Sequence, residues 1–437
     1  MISISKNTQI PSVSSVLGIL DGYNRLMPIC IDFDKVCQYI FWYSTELDRI
    51  GGPLFEELKG VRGRDKLNDL LLIWLKRHGE DLSVFDRTYD GISFSKESFD
   101  KAYESGRLSP EATSIMKQYQ EFSTDHKTRR TLMGYLQFPI MDFYSPDNHR
   151  IIGVYPEWRK QNTNRVAMFN PAFQNLNREM QDIFTVPKGW TRVYCDSGQI
   201  EPRTIYSAYL PDPQIKALIN LYGDAYFGVL HYCLMPLEHI ADKRLVFEKM
   251  DTDKLKDSRQ VIKTYGNAVM YGSKSNPTKD PIKQAMIDRI GNHPMRLAWI
   301  EELSRAIDMG EQNFKTYFGT PINIYNSPKL EGFDFNDKEG LKYQLLKLAI
   351  NNPIQGTAAD LMRVSITEAY KLLNRKAPNS VISMYIHDAG VFAVSEDDYD
   401  KVIDDLKDIV AYNVEGWIPI HADAKIGRNE GLFKDLY

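Results

Sequence analysis

The stretch MYIHDAGVFAV runs from Met384 to Val394. A His-Asp pair, His387-Asp388, stands between two apolar runs that read as strands. Taken alone, Asp388-Ala389-Gly390 reads as turn chemistry. The question is why an ionisable carboxylate sits at the tip of a buried hairpin, and whether it has a partner elsewhere in the chain.

A first partner is Asp196 in VYCDSGQIEPR (193–203). WTRVYCDSG (190–198) follows the turn VPKGW and reads as a strand ending at Asp196. Two carboxylates at neighbouring strand ends repel each other and are tolerated when cations lie between them. A pair of Mg²⁺ ions about 3.5–4 Å apart is the usual device for phosphoryl displacement. An acid/base pair of the glycosidase kind is the alternative. The two aspartates alone leave both open.

A second constellation is RQVIKTYGNAVMYG (259–272). On a regular helix Arg259, Lys263 and Tyr271 drift by only about 40° per four residues and share one face. Cations at one end and a ring at the other suit a nucleoside triphosphate. A solvated basic face with a core tyrosine is the plainer reading of the same pattern. Third come the polar amides of NRVAMFNPAFQNLN (164–177), with Arg165, Gln174 and Asn175, and of NNPIQGTAAD (351–360), with Asn351 and Gln355. Such groups read base edges in a minor groove, or cap turns.

The bulk properties frame these motifs. The 437 residues are 43% hydrophobic, enough for two to four domains and a sizeable core. No unbroken apolar run approaches the roughly 18 residues of a membrane span. The start MISISKNTQI lacks the pattern of a secretory signal. Cys30, Cys37, Cys195 and Cys233 form no CxxC or zinc spacing, which fits a reducing cytoplasm. The net charge of −4 is not that of a simple nucleic-acid binder. Its distribution is uneven: residues 125–165 hold seven Lys/Arg against four Asp/Glu, and residues 395–437 hold five against eleven.

Along the chain, 30–50, 66–79 and 109–136 have helical apolar spacing, with Ser109 as N-cap and Pro110 in the first turn. Residues 137–165 read as irregular chain and short strands. Helix returns over 211–310, interrupted near 272–281, and 327–340 reads as a loop or hairpin. Residues 341–374 read as helix broken near Pro353. An amphipathic helix begins at Asp397, with Val402, Leu406, Ile409 and Val410 inward, and IPIHADAKIG closes as a strand. Helix-rich ends around a few strands predict an α+β fold.

Together these segments resemble the family A (Pol I-like) DNA polymerases. DSGQIEPR is similar to the first palm motif, RQVIKTYGNAVMYG to the fingers helix, IHDAG to the second palm motif, and NRVAMFNPAFQNLN and NNPIQGTAAD to two duplex-binding segments. They occur in family order over about 163–430. The resemblance implies a right-hand fold, with a small antiparallel sheet in the palm and helical fingers and thumb. Residues 1–25 would be an N-terminal extension and 26–136 the thumb and its supporting helices. The palm would come from 137–205 and 341–437, and the fingers from 206–340.

The implied activity is template-directed DNA synthesis from dNTPs on a primer-template, in a compact phage- or plasmid-type enzyme without the 3′–5′ exonuclease domain. Asp196 and Asp388, with the carbonyl of Ser197, would hold two Mg²⁺ ions. Gln199, Glu201, Arg259, Lys263, Asn267 and Tyr271 would handle the nucleotide, with Glu201 as a gate against the 2′-hydroxyl. Arg165, Gln174, Asn175, Asn351 and Gln355 would read the primer-template, and His387 would touch the primer end. A monomer in the cytoplasm of a bacterial host is expected, with a separate exonuclease or replisome proteins as candidate partners and no membrane.

Four positions depart from the family pattern: Ala389 replaces an acidic residue, Asn267-Ala268 replace an aromatic and a glycine, Lys347 replaces an arginine, and NIYNSPKLEGFDF (323–335) replaces a T-x-x-G-R-R segment. Asn267 is expected one regular turn beyond Lys263, facing the nucleotide sugar; the alternative is that Tyr265 takes that place through a local distortion of the helix. The rival readings are a single-subunit RNA polymerase, a non-catalytic nucleic-acid binder that kept the fold, and a glycosidase.

Overall fold

The computed structural model of the chain describes residues 1–60, 62, 66–88, 91–137, 141–144, 150–176, 178–234, 252–271, 278, 280–331, 333 and 335–427. The chain forms two compact units. Among the described residues the first takes Met1–Pro28, Pro156–Asn170 and 189–427; the second takes Ile29–Tyr155 and Pro171–Lys188. Helices and small, mainly antiparallel sheets make an α+β fold. Among the described residues no helix is long and apolar enough to cross a membrane.

The first unit is organised by a four-stranded antiparallel sheet in the order Val381–Ile386, Ala389–Ser395, Trp190–Ser197, Ala422–Gly427. The hairpin strands Val381–Ile386 and Ala389–Ser395 read as near-continuous apolar runs and are buried along almost their whole length. Helix Tyr399–Asp408 buries Val402, Ile403 and Leu406; Ile409 and Val410 are buried just beyond its end. The N-terminal residues expected as an extension are built into this unit. Strand Ile2–Ile4 pairs in parallel with Tyr412–Val414, and helix Val13–Leu26 buries Val16, Leu20 and Tyr23.

The expected break at Pro353 does not occur. Helix Lys338–Lys376 runs unbroken through it. A proline there removes one N–H and crowds the carbonyl four residues back. Burial outweighs that local cost, since nearly every residue from Leu348 to Ile366 lies in the core. Tyr209 Oη and Thr357 Oγ1 both donate to the Pro353 carbonyl, at 2.9 and 2.8 Å. Gly356 is required by a close approach: a Cβ there would stand 2.5 Å from Ile322 Cδ1 and 3.3 Å from the Thr163 carbonyl.

Helices Pro213–Tyr222, Ala225–Leu234 and Pro294–Asp308 share a second core in the same unit through Leu218, Ile219, Leu230 and Leu303, and helix Thr252–Val261 packs Leu255 against it. The first two of these helices meet where a Cβ on Gly228 would be 2.7 Å from Ile219 N. Residues 272–277, expected as an interruption, lie outside the described residues, as do 332 and 334 in the 327–340 loop.

In the second unit, helices Phe33–Glu57, Leu67–Arg77, Lys96–Ser105 and Pro110–Tyr135 pack around Leu54, Phe55, Trp74, Phe99 and Phe122. Ser109 caps the last of these, accepting from Ala112 N at 3.0 Å. The helix expected from Cys30 begins instead at Phe33. Ile29–Asp32 is a strand paired with Arg150–Val154, and Asp32 is the N-cap, accepting from Lys35 N.

Candidate active site

Asp388 is the second residue of the two-residue turn between Val381–Ile386 and Ala389–Ser395. His387, the first, has φ 53°, as such tight turns demand. Ala389 lies directly opposite Asp196, and Ser197 N donates to the Asp388 carbonyl at 3.0 Å. The two aspartates therefore share one end of the sheet. From the other flank, Asp423 is the register partner of Asp196. Directly opposed residues place their Cβ atoms about 4.5–5.5 Å apart on one face.

This crowding has electrostatic consequences. Burial and the charges of Asp388 and Asp423 push the Asp196 carboxyl up to about 7, against the Ser197 N–H and the charge of Lys263. Burial raises Asp388 to about 6, with Arg165 opposing and Glu201 adding to the rise. Asp388 Oδ1 is buried without a hydrogen bond; Arg165 Nη2 stands 3.8 Å away. These are carboxylates short of positive charge. Hard oxygens with no thiolate facing them, and an orphaned buried oxygen, fit Mg²⁺ or a similar cation. The Ser197 hydroxyl is turned inward, donating to the Val410 carbonyl at 2.8 Å, so only its backbone carbonyl could join such a set.

Just beyond the Asp196 strand, the helix Ile200–Thr204 carries Glu201. Its Oε2 accepts from Tyr271 Oη at 2.7 Å and its Oε1 from Arg165 Nη2. Burial and Glu201 push the Tyr271 phenol far above its ordinary range, so it acts as a donor. Gln199, in the left-handed region at φ 57°, donates Nε2 to Asp224 Oδ2 at 2.6 Å. Arg259 reaches the same oxygen through Nη2 at 2.7 Å and Nε at 3.1 Å. Lys263 is exposed, and its charge is felt at Asp196.

The regular-helix register expected for 259–271 does not hold. Residues Ile262–Gly266 form a π turn between helices Thr252–Val261 and Asn267–Met270. One extra residue per turn rotates the succeeding residues by about 100° relative to an unbroken α-helix. Asn267 thus is not simply one turn beyond Lys263. Its amide lies beside the Tyr226 phenol and opposes the rise in that phenol's pKa. Tyr265 packs against the surrounding apolar core. Arg259, Lys263 and Tyr271 still reach groups around the Asp196 corner, by different routes.

Of the residues expected at the duplex, Arg165 is placed between Glu201 and Asp388. Asn351 and Gln355 lie one turn apart on helix Lys338–Lys376, lining a cleft of about 870 Å³ with Lys160, Asn162, Asn323 and Lys329. His387 is exposed at the hairpin tip. Gln174 and Asn175, in the turn Phe173–Asn175, belong to the second unit. Lys347 Nζ lies 4.8 Å from the Tyr343 ring centre. Sequence reasoning missed Asp423 and Asp224. The first sits in a strand that was recognised, where the register to Asp196 was the missing signal. The second follows a helix-stop glycine, Gly223 at φ 65°, and looks like any N-cap.

Residues 297–431 match the family model described as DNA polymerase family A. DNA polymerase I of Pseudomonas aeruginosa is 26% identical over 283 residues, 61% of this chain and 28% of that protein. Thermostable DNA polymerase I of Thermus filiformis is 25% identical over 411 residues, 89% of this chain and 44% of that protein. The chain thus spans less than half the length of these relatives. The POL domain of Pol1 from M. smegmatis, solved in complex with DNA primer-template and dNTP, superposes with a TM-score of 0.70 at 16% identity, covering 95% of this chain and 69% of that one. The family match over 297–431 and the polymerase relatives make the chain similar to the DNA polymerases of family A, and its fold is that of a polymerase domain.

Proposed function

We propose that the chain is a template-directed DNA polymerase that extends a primer 3′ end with dNTPs. The observation that carries this reading is the corner formed by Asp196, Asp388 and Asp423, short of positive charge and faced by Lys263. Mg²⁺ ions held by Asp196, Asp388 and the Ser197 carbonyl would lower the pKa of the primer 3′-hydroxyl and steady the leaving pyrophosphate.

The rest of the work falls to the chain. Arg259 and Lys263 neutralise the triphosphate, in a reaction that mainly needs positioning and charge stabilisation. Glu201, fixed by Tyr271 and Arg165, closes the space beside C2′ of the sugar and excludes ribonucleotides. Gln199 and Asn267 complete the nucleotide site. Arg165, Gln174, Asn175, Asn351 and Gln355 read the minor-groove edge, whose acceptors occur in every base pair. His387 contacts the primer end. In this reading 26–136 form the thumb, 206–340 the fingers, and 137–205 with 341–437 the palm. The Pol1 domain of similar fold binds primer-template and dNTP, which supports the substrate class.

Extension of a labelled hairpin DNA in Mg²⁺, with dNTPs and NTPs in separate reactions, tests the proposal. Growth of the primer with dNTPs is expected. Growth with NTPs alone would replace the reading with an RNA polymerase, and growth with neither would remove it.

A further inference from the structure

Asp224 stands where three elements meet. It follows Gly223, which ends helix Pro213–Tyr222 in a left-handed conformation, and its own carbonyl accepts from Gly228 N at 3.0 Å. The buried Arg203 pins this corner, donating to the Gly223 carbonyl at 2.5 Å and the Pro419 carbonyl at 2.7 Å. The Asp224 carboxylate accepts four hydrogen bonds. Oδ1 takes Phe227 N at 2.9 Å; Oδ2 takes Gln199 Nε2 and both Nε and Nη2 of Arg259. Gln199 is fixed from its other end too, Oε1 accepting from Ala225 N at 2.6 Å. The Arg259 guanidinium lies 5.0 Å from the Tyr226 ring centre and 5.4 Å from that of Phe227.

One edge of Arg259 is thus fully engaged, while Nη1 makes no hydrogen bond among the described residues. A guanidinium clamped on one edge and flanked by rings retains few rotamers. Its free edge can meet a phosphate without further loss of side-chain entropy. Burial works against the charge on Asp224, but the donors from Arg259, Phe227 and Gln199 outweigh it and hold the carboxyl below its ordinary range.

We infer that Asp224 is a positioning residue for the nucleotide triphosphate: it orients Arg259 and Gln199 together and ties the helix that carries Arg259 to the end of the Asp196 strand. This rests on the polymerase reading for the identity of the nucleotide, and on the geometry alone for a polyphosphate site at Arg259. The competing role is a placeholder, in which Asp224 occupies the phosphate's place and must be displaced. The Phe227 and Gln199 bonds argue against it, because an arriving phosphate would leave Asp224 still held by both.

The test compares wild type, Asp224→Ala, Arg259→Ala and the double variant, with Asp224→Asn as a second substitution that keeps the Phe227 cap. KM and kcat for one dNTP are measured on a primer hairpin, and inorganic tripolyphosphate binding is measured by calorimetry without DNA. Asp224→Ala is expected to raise KM about tenfold or more with a smaller change in kcat. The double variant should lie within about threefold of Arg259→Ala, since the two residues act as one unit. Tripolyphosphate affinity should fall by a similar factor in both single variants, which keeps the inference testable if wild type fails to extend DNA. An unchanged or lowered KM in Asp224→Ala would overturn it. So would a full additional loss in the double variant, which marks a purely structural role, or no tripolyphosphate binding by wild type.

Discussion

Two sets of carboxylates lie within the same unit and are treated in opposite ways. Glu201 and Asp224 are each enclosed by an arginine and further donors: Arg165 and Tyr271 for one, Arg259, Gln199 and Phe227 N for the other. Asp196 and Asp388 face each other and Asp423, with a single distant guanidinium and an exposed lysine as counter-charges. The first set is complete as the chain folds. The second is left short of positive charge by the fold. On the polymerase proposal, the unsatisfied pair is where chemistry is done and its satisfied neighbours hold substrates in place.

The largest effect expected from this contrast is at the unsatisfied pair. Asp196→Asn or Asp388→Asn should reduce single-turnover extension by about 10³-fold or more while primer-template affinity changes less than about threefold. Retention of a tenth of the wild-type rate, a barrier change of only about 1.4 kcal/mol, would break the comparison.

Next in size is Glu201. Its carboxylate is fixed from two sides, so Glu201→Ala removes a rigid wall rather than a mobile charge. Ribonucleotide use relative to dNTP use should rise about 10²-fold, roughly 3 kcal/mol of discrimination. Competition between one dNTP and its NTP measures this, and an unchanged ratio would place the gate elsewhere.

A smaller effect is expected at the π turn. Asn267→Tyr should change the ratio of dideoxy- to deoxynucleotide kcat/KM by several-fold to about tenfold, because it also releases the Tyr226 phenol. Tyr265→Ala should lower the melting temperature by removing core packing and leave that ratio alone. The reverse pattern would mean that Tyr265 faces the sugar.

The smallest effect concerns stability. Asp196 and Asp388 have folded pKa values near 7 and 6, both above the unfolded value of 3.8. Between about pH 4 and pH 7 the unfolded chain therefore releases these protons first, and stability falls as pH rises through that window. In metal-free buffer, the melting temperature of Asp196→Asn relative to wild type should climb from pH 5 to pH 7.5. A flat difference would show the carboxylate to be satisfied after all.

The sequence disclosed these regions unequally. The aspartate pair was legible because strand alternation and turn residues put each at a strand end, and because segments in family order fixed their relation. The α+β class and the Ser109 cap were legible for the same local reasons. Continuity through Pro353 was not, since burial of the whole helix outweighs a local rule. The π turn was open to sequence reasoning only as an alternative, because a change from i→i+4 to i→i+5 bonding leaves no apolar signature. Asp423 needed a strand register, and Asp224 needed the three-dimensional meeting of Gly223, Gln199 and Arg259. Non-local pairing decided each of these.

The most direct measurement is the titration of Asp196 and Asp388 themselves, by carboxyl-¹³C NMR of the folded protein with and without Mg²⁺. Because the two sites are coupled, the pair is followed as a whole. The account predicts apparent values near 6 and 7 without metal, and a fall of both below about 5 when Mg²⁺ binds, as a cation favours the charged forms. Values near 4 without metal, or a titration that Mg²⁺ does not move, would contradict it.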